Sequence, residues 1–239
     1  MSQFSRMQVR SPQIVPDVVM QCSYVLPATV VSSDAEPWAA VELPASLRHA
    51  VAKRQRHFRA GRYCAIEALR LLGAGVHGLT VGRSATGAPV WPAGVTGSIT
   101  HTDDFVSAAA AWSADVAAVG IDTERLVPAD RARDLSCAVA TGDEMAEAQR
   151  AGCDVSQAFT LLFSAKEAVF KCLYGRVGRL FGFHDVRLVW VEASGGFYGR
   201  LATRLAPTLP AGTTLAGRFE IEAAHVHTGV TLRAGRPTW

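Results

Sequence analysis

The chain has 239 residues, and 24 Lys and Arg stand against 21 Asp and Glu, a net charge of +3. Apolar residues make up 49% and charged residues 19%, which excludes a disordered or collagenous chain. So small a basic excess weighs against a nucleic-acid partner. Residues up to about Pro44 read as irregular, apart from a strand at Met20–Leu26. Segment 44–73 has few β-branched residues, and Leu47, Val51, Phe58, Ile66, Leu69 and Leu72 recur near helical spacing. It predicts one long helix or two abutting ones, weakest at Gly61 and stopped by Gly73. Gly87, Pro89 and Pro92 mark turns around Trp91. Two strand segments are expected next, one over 97–112 with a turn near Asp103–Asp104 and the other over 117–124. Residues 125–155 mix Asp, Arg and Ala and read as a loop with short helical pieces. Residues 157–175 predict a second helix, ended by glycine. Strand segments 186–193, 196–205 and 215–234 follow. Strands and helices recur in both halves, 1–115 and 116–239, an α+β plan of two similar lobes.

Five Cys, at 22, 64, 137, 153 and 172, form no CxxC. Their odd number argues against a disulfide framework or zinc site and for a reducing cytoplasm; they read as small core fillers. No stretch is apolar enough for a membrane span, and the N-terminus lacks a signal-peptide core. His225 and His227 share a strand face and are expected at the surface. Trp38, Trp112, Trp190 and Trp239 read as core or edge.

Four groups of residues carry chemistry. Asp122 and Glu124 end an apolar strand, and a period of two puts both on one face. Like charges that close raise each other's pKa unless a cation neutralises them, and oxygen-only donors suit Mg²⁺. The alternative is a strand running into solvent with two hydrated acids. Glu167 and Lys171 are i and i+4 on the second helix, the spacing of a simple ion pair. However, their flanks are strongly apolar, and buried charges need partners; Lys166 adds a further cation. The small residues Gly97 to Thr100 precede His101 and would let backbone approach a ligand. Finally, Arg48, Lys53, Arg54, Arg56, Arg59 and Arg62 fall within one predicted helix with no acid between them, and Arg83 follows. They make either a phosphate site or a solvated basic face. Together these groups describe a site for a polyphosphorylated small molecule and a divalent ion.

GSITHT (97–102), VGIDTE (119–124) and FSAKEAVFK (163–171) occur in this order. They closely resemble the signature of the Sfp-type 4'-phosphopantetheinyl transferases, in the branch typified by enterobactin synthetase component D. KRQRHFRAGRYCA (53–65) and TGAPVWP (86–92) resemble that branch too. The resemblance implies two pseudo-symmetric α+β lobes with the site at their interface. It implies coenzyme A as donor and a serine of an apo acyl or peptidyl carrier protein as acceptor, with adenosine 3',5'-bisphosphate released. Asp122, Glu124 and Glu167 would bind Mg²⁺ or Mn²⁺. Glu167 would deprotonate the serine, and Lys171 would stabilise the pyrophosphate and protonate the leaving phosphate. His101 and Lys166 would contact phosphates. Arg54, Arg62 and Arg83 would hold the adenosine 3'-phosphate region with Thr100 nearby, the choice among Arg54, Arg56 and Arg59 staying open. The carrier is expected to dock on residues 125–160, including Arg131 and Arg133. A cytoplasmic monomer is expected, without nucleic acid or membrane, serving siderophore, non-ribosomal peptide or polyketide synthesis. Two alternatives use the same residues: a Mg²⁺-dependent pyrophosphate hydrolase and a non-catalytic nucleotide-binding module.

Overall fold

The computed structural model describes residues 8–28, 36–75, 80–191 and 196–234; Trp239 lies outside them. The chain divides into two compact units. One comprises Asp17–Asp115 with the residues before Pro12, and the other comprises Val116–Trp239 with Pro12–Pro16.

The first unit contains β1 (Gln8–Val9), β2 (Met20–Val25), α1 (Ala52–Leu71), β3 (Gly82–Arg83), β4 (Pro89–Val90), β5 (Val95–His101) and β6 (Phe105–Trp112). Four strands form an antiparallel sheet in the order β1-β2-β6-β5, and β3 pairs with β4. Helix α1 packs on β2, β5 and β6. It buries Ala60, Cys64, Ala65, Ala68 and Leu69 against Cys22, Tyr24, Val106, Ala108 and Ala110. Such small side chains permit a close approach. Gly61 does not weaken the helix as expected. A Cβ there would lie 2.9 Å from Ile99 Cγ2, so the glycine seats α1 on β5. Gly97 likewise serves packing rather than a ligand, because the Trp91 ring and Ala109 O occupy the space a Cβ would take. The opening holds a second strand, β1, too short to leave an alternating pattern.

The second unit contains β7 (Val116–Arg125), α2 (Ala129–Val139), α3 (Gly142–Arg150), α4 (Val155–Val177), β8 (Val186–Val191), β9 (Gly196–Leu201), β10 (Thr214–Ile221) and β11 (His225–Arg233). Its sheet is antiparallel, ordered β7-β11-β10-β9-β8. Helix α4 covers β7 and β11. Residues 125–155, expected as a loop with short helical pieces, are mostly the helices α2 and α3. Thr141 and Glu144 cap α3 reciprocally, and Asp154 and Gln157 do the same for α4. Helix α4 runs past Gly175 and ends at left-handed Gly178, φ 69°. The segment Pro12–Pro16 lies on this sheet. Gln13 N donates to Glu220 Oε2 (2.8 Å), and Ile14 O fills the place of a Gly229 Cβ.

Of the cysteines, Cys22, Cys64 and Cys172 are buried, while Cys137 is exposed on α2 and fills no core. Trp38 is core, Trp190 is partly buried, and Trp112 lies at a strand end. No helix among the described residues is long and apolar enough to cross a membrane.

Candidate active site

In the second unit, β7 and α4 meet at a glycine. A Cβ on Gly120 would collide with Ala168 O and lie 2.6 Å from Cys172 N. Only glycine permits this approach, and the two-residue period then directs Asp122 and Glu124 to the same face of β7. Lys171 Nζ reaches Asp122 Oδ1 at 2.6 Å. Glu167, one turn earlier on α4, lies within the field of both. The structure thus brings together Asp122, Glu124, Glu167 and Lys171. Burial pushes Glu124 up to about 7, helped by the charges of Asp122 and Glu167 and opposed by Lys171. Burial raises Glu167 as well, again with Asp122 against it and Lys171 in its favour. Three carboxylates that repel one another in a half-buried place attract cations. No trio of His, Cys, Asp or Glu among the described residues is gathered closely enough to grip an ion as placed. The donor set itself, three carboxylates, suits a hard divalent cation that keeps waters.

Lys166 is not part of this group. Its side chain is 1% exposed, and Nζ donates to Glu144 Oε2 (3.0 Å) and Val139 O (2.9 Å). The ammonium is enclosed by protein and is not available to a phosphate. The apolar flanks correctly signalled burial, but the partner is on α3, 22 residues away.

In the first unit, the basic helix is less unopposed than it reads. Arg56 pairs with Glu36 (2.6 Å) and Lys53 with Asp103 (2.6 Å). Arg54 is exposed near the start of α1. The His57 ring packs against His101, centroids 4.6 Å apart and planes tilted by 41°. Burial lowers the pKa of His57; the charge of Asp103 opposes this, and those of Lys53, Arg56 and Arg54 reinforce it. Further along α1, Arg62 is buried; its Nη2 donates to Gly82 O (2.8 Å), and its guanidinium lies 4.7 Å from the Phe58 ring centroid. Burial, and then the charge of Arg83, bring its pKa down to about 10. Arg62 Nε is buried with no hydrogen-bond partner among the described residues. The chemistry of two neighbouring guanidiniums suits an anion. Thr100 is not on this side. Ile99 and His101 face α1, so alternation turns Thr100 to the opposite face, where it is buried.

A 4'-phosphopantetheinyl transferase N-terminal domain model matches residues 43–111, and a 4'-phosphopantetheinyl transferase superfamily model matches residues 118–209. The chain is 33% identical over 223 residues to the 4'-phosphopantetheinyl transferase PptT of Mycobacterium tuberculosis, spanning 87% of this chain and 96% of that one. It is 38% identical over 160 residues to the transferase Svp of Streptomyces mobaraensis, 67% of this chain and 64% of that one. It is 34% identical over 145 residues to enterobactin synthase component D of Escherichia coli K12, 61% and 66% of the two chains. The chain belongs to the 4'-phosphopantetheinyl transferase superfamily. The first matched region of this transferase chain holds Arg54, Arg62, Arg83, Thr100 and His101; the second holds Asp122, Glu124, Lys166, Glu167 and Lys171.

One further feature of this phosphopantetheinyl transferase escaped sequence reasoning. His227, expected at the surface, is 1% exposed, and its Nδ1 lies 3.0 Å from Thr123 Oγ1. Thr123 separates the two carboxylates of β7 and faces the other side of the sheet. Burial, reinforced by the charge of His225, lowers the His227 pKa to about 4, so the imidazole is neutral at physiological pH. The ladder register Thr123↔His227 explains the contact, and no local pattern encodes a register between strands a hundred residues apart.

Proposed function

We propose that this chain transfers the 4'-phosphopantetheine arm of coenzyme A to a serine hydroxyl of an apo acyl or peptidyl carrier protein. Adenosine 3',5'-bisphosphate is the other product. The observation that carries the reading is the group Asp122, Glu124, Glu167 and Lys171, three carboxylates and one ammonium on a strand and helix seated by Gly120. It lies within the matched superfamily region.

The roles follow from the chemistry of each group. Asp122, Glu124 and Glu167 would hold Mg²⁺, or Mn²⁺; the bound cation supplies charge neutralisation for the coenzyme A pyrophosphate. Glu167, its pKa raised by burial, accepts the serine proton directly or through a water. The serine oxygen attacks the phosphorus that bears the pantetheine arm. The bond from that phosphorus to the bridging oxygen breaks, and the bisphosphate leaves with the electron pair. Lys171 stabilises the charge that develops on the leaving oxygen and protonates it. In the first unit, Arg62 and Arg83 bind the adenosine 3'-phosphate, supported by Arg54, and His101 donates to a phosphate oxygen. Arg131 and Arg133, both exposed on α2, receive the acidic carrier. The expected setting is cytoplasmic, in siderophore, non-ribosomal peptide or polyketide synthesis.

The test is the intact mass of a purified apo peptidyl carrier protein after incubation with the chain, coenzyme A and Mg²⁺, with a chelator control. A metal-dependent gain of one phosphopantetheine supports the reading. Cleavage of coenzyme A without any carrier overturns it.

A further inference from the structure

We propose that Glu144 is a positioning residue for Glu167, acting through Lys166; the inference rests on the transferase reading above. Both side chains are 1% exposed. Glu144 Oε2 accepts from Lys166 Nζ (3.0 Å), Thr141 N (2.9 Å) and Thr141 Oγ1 (3.3 Å), and Oε1 accepts from Leu188 N (2.9 Å). Lys166 Nζ also donates to Val139 O (2.9 Å). One carboxylate therefore gathers donors from the α3 cap, from β8 and from α4, and the ammonium reaches the last residue of α2.

An ion pair is a costly way to join these elements. Removing each ion from water is strongly unfavourable, and an apolar pair of similar volume often holds a core equally well. Burial duly lowers the pKa of Lys166 against the attraction of Glu144. Burial also pushes Glu144 up, but hydrogen bonds from Thr141 and Leu188 and the charge of Lys166 outweigh it and leave it lowered. What the charged pair adds is direction. Its bonds fix where the Lys166 side chain points around the axis of α4, and each successive residue is turned by about 100°. Glu167 is the next residue.

Two other contacts restrain the same turn. Ser164 Oγ lies 2.8 Å from Thr228 Oγ1, and the Ala168 carbonyl lies against Gly120. Helix α4 cannot roll or slide at residues 164–168 without breaking a buried polar contact. The roll angle set by Lys166 decides whether Glu167 faces Asp122. Neither Glu144 nor Lys166 touches a reacting atom in this assignment, which also separates it from a phosphate-binding lysine.

The experiment compares the wild type with Lys166→Met, Glu144→Gln and the double variant, in which no buried charge is left alone. Readouts are cooperative unfolding, kcat and KM for coenzyme A at saturating apo carrier, and amide hydrogen exchange over residues 164–172. The double variant is expected to fold, to keep KM for coenzyme A within about twofold, to lose roughly tenfold or more in kcat and to exchange faster over α4. Glu144→Asp keeps the charge and shortens its reach, and serves in its place if the double variant does not fold, with the same expected split. A KM for coenzyme A raised roughly tenfold by Lys166→Met but untouched by Glu144→Gln makes Lys166 a phosphate ligand and overturns the proposal. So does wild-type kcat in the double variant. If the wild type modifies no carrier, the transferase reading falls and the positioning role with it; a wild type that modifies the carrier beside a double variant of unchanged kcat overturns the positioning role alone.

Discussion

Lys171 Nζ stands 2.6 Å from Asp122 Oδ1, so the helix bearing Glu167 is tied to the strand bearing Glu124. The ammonium offsets part of the repulsion among three carboxylates. Asp122 is the first charge acting against Glu124, after burial itself. Asp122→Asn is therefore expected to bring the Glu124 pKa down from about 7, yet not to its ordinary value, because burial persists. A pH titration of carboxyl carbon shifts by NMR checks this. An unmoved Glu124 would mean that the two acids do not sense each other.

Glu167→Gln keeps the shape and removes the charge. With the base gone, turnover is expected to fall by about 10²–10⁴. Stability is expected to hold or rise, since burial and Asp122 both disfavour the charged form. Steady-state kinetics alongside a thermal melt separate the two effects. Near-normal turnover would remove Glu167 from both of its proposed roles.

Gly120→Ala places a methyl group against backbone, at Ala168 O and Cys172 N. Backbone cannot give way as a flexible side chain does. The expected loss is about 3 kcal/mol or more, at the upper end of overpacking costs. Urea midpoints measure it. An unchanged midpoint would show that α4 can move off β7 freely.

His227 links stability to pH. Its folded pKa is lowered, to about 4 from 6.5, so between those values the unfolded chain binds more protons. The stability contribution is full above 6.5 and is lost as pH falls through this window, a change on the order of 3 kcal/mol. His227→Gln is expected to flatten that part of the profile. Urea unfolding from pH 7 to pH 4 for both proteins is the measurement, and parallel profiles would place the acid sensitivity elsewhere.

Arg131 and Arg133 are proposed to meet the carrier. Arg131→Glu with Arg133→Glu should raise the carrier KM by roughly tenfold, more at low salt, and leave the KM for coenzyme A unchanged. Equal carrier KM values at low and high salt for the variant and the wild type would remove α2 from docking.

Much of this was legible in the residue pattern. The period of two at Asp122 and Glu124, and the i, i+4 spacing of Glu167 and Lys171, rest on local geometry and carry straight into the structure. The helix starts in 125–155 were legible too, because Thr141 with Glu144 and Asp154 with Gln157 are capping boxes that composition alone obscured. What could not be read was pairing across distance. Glu36 and Asp103 neutralise Arg56 and Lys53 from other elements. Glu144 takes Lys166 out of any phosphate site, and His227 is buried by a neighbour on another strand. Gly61 read as a weak point and Gly97 as a ligand approach, but each is a place where another element fills the missing side chain's volume, as Ala168 and Cys172 also do at Gly120.

The short segment Pro12–Pro16 has a practical consequence for dissecting the chain. It belongs by its packing to the second unit, with Ile14 O over Gly229 and Gln13 N on Glu220, although most of the first unit follows it in sequence. A fragment beginning at Val116 would lack its own cover, leaving the Gly229 backbone and Glu220 uncapped, while a fragment ending at Asp115 would carry that cover away with nothing beneath it. Cloning the two halves at their apparent boundary thus severs one of them from a part of itself. A faithful second half needs residues 12–16 supplied in trans or grafted by circular permutation.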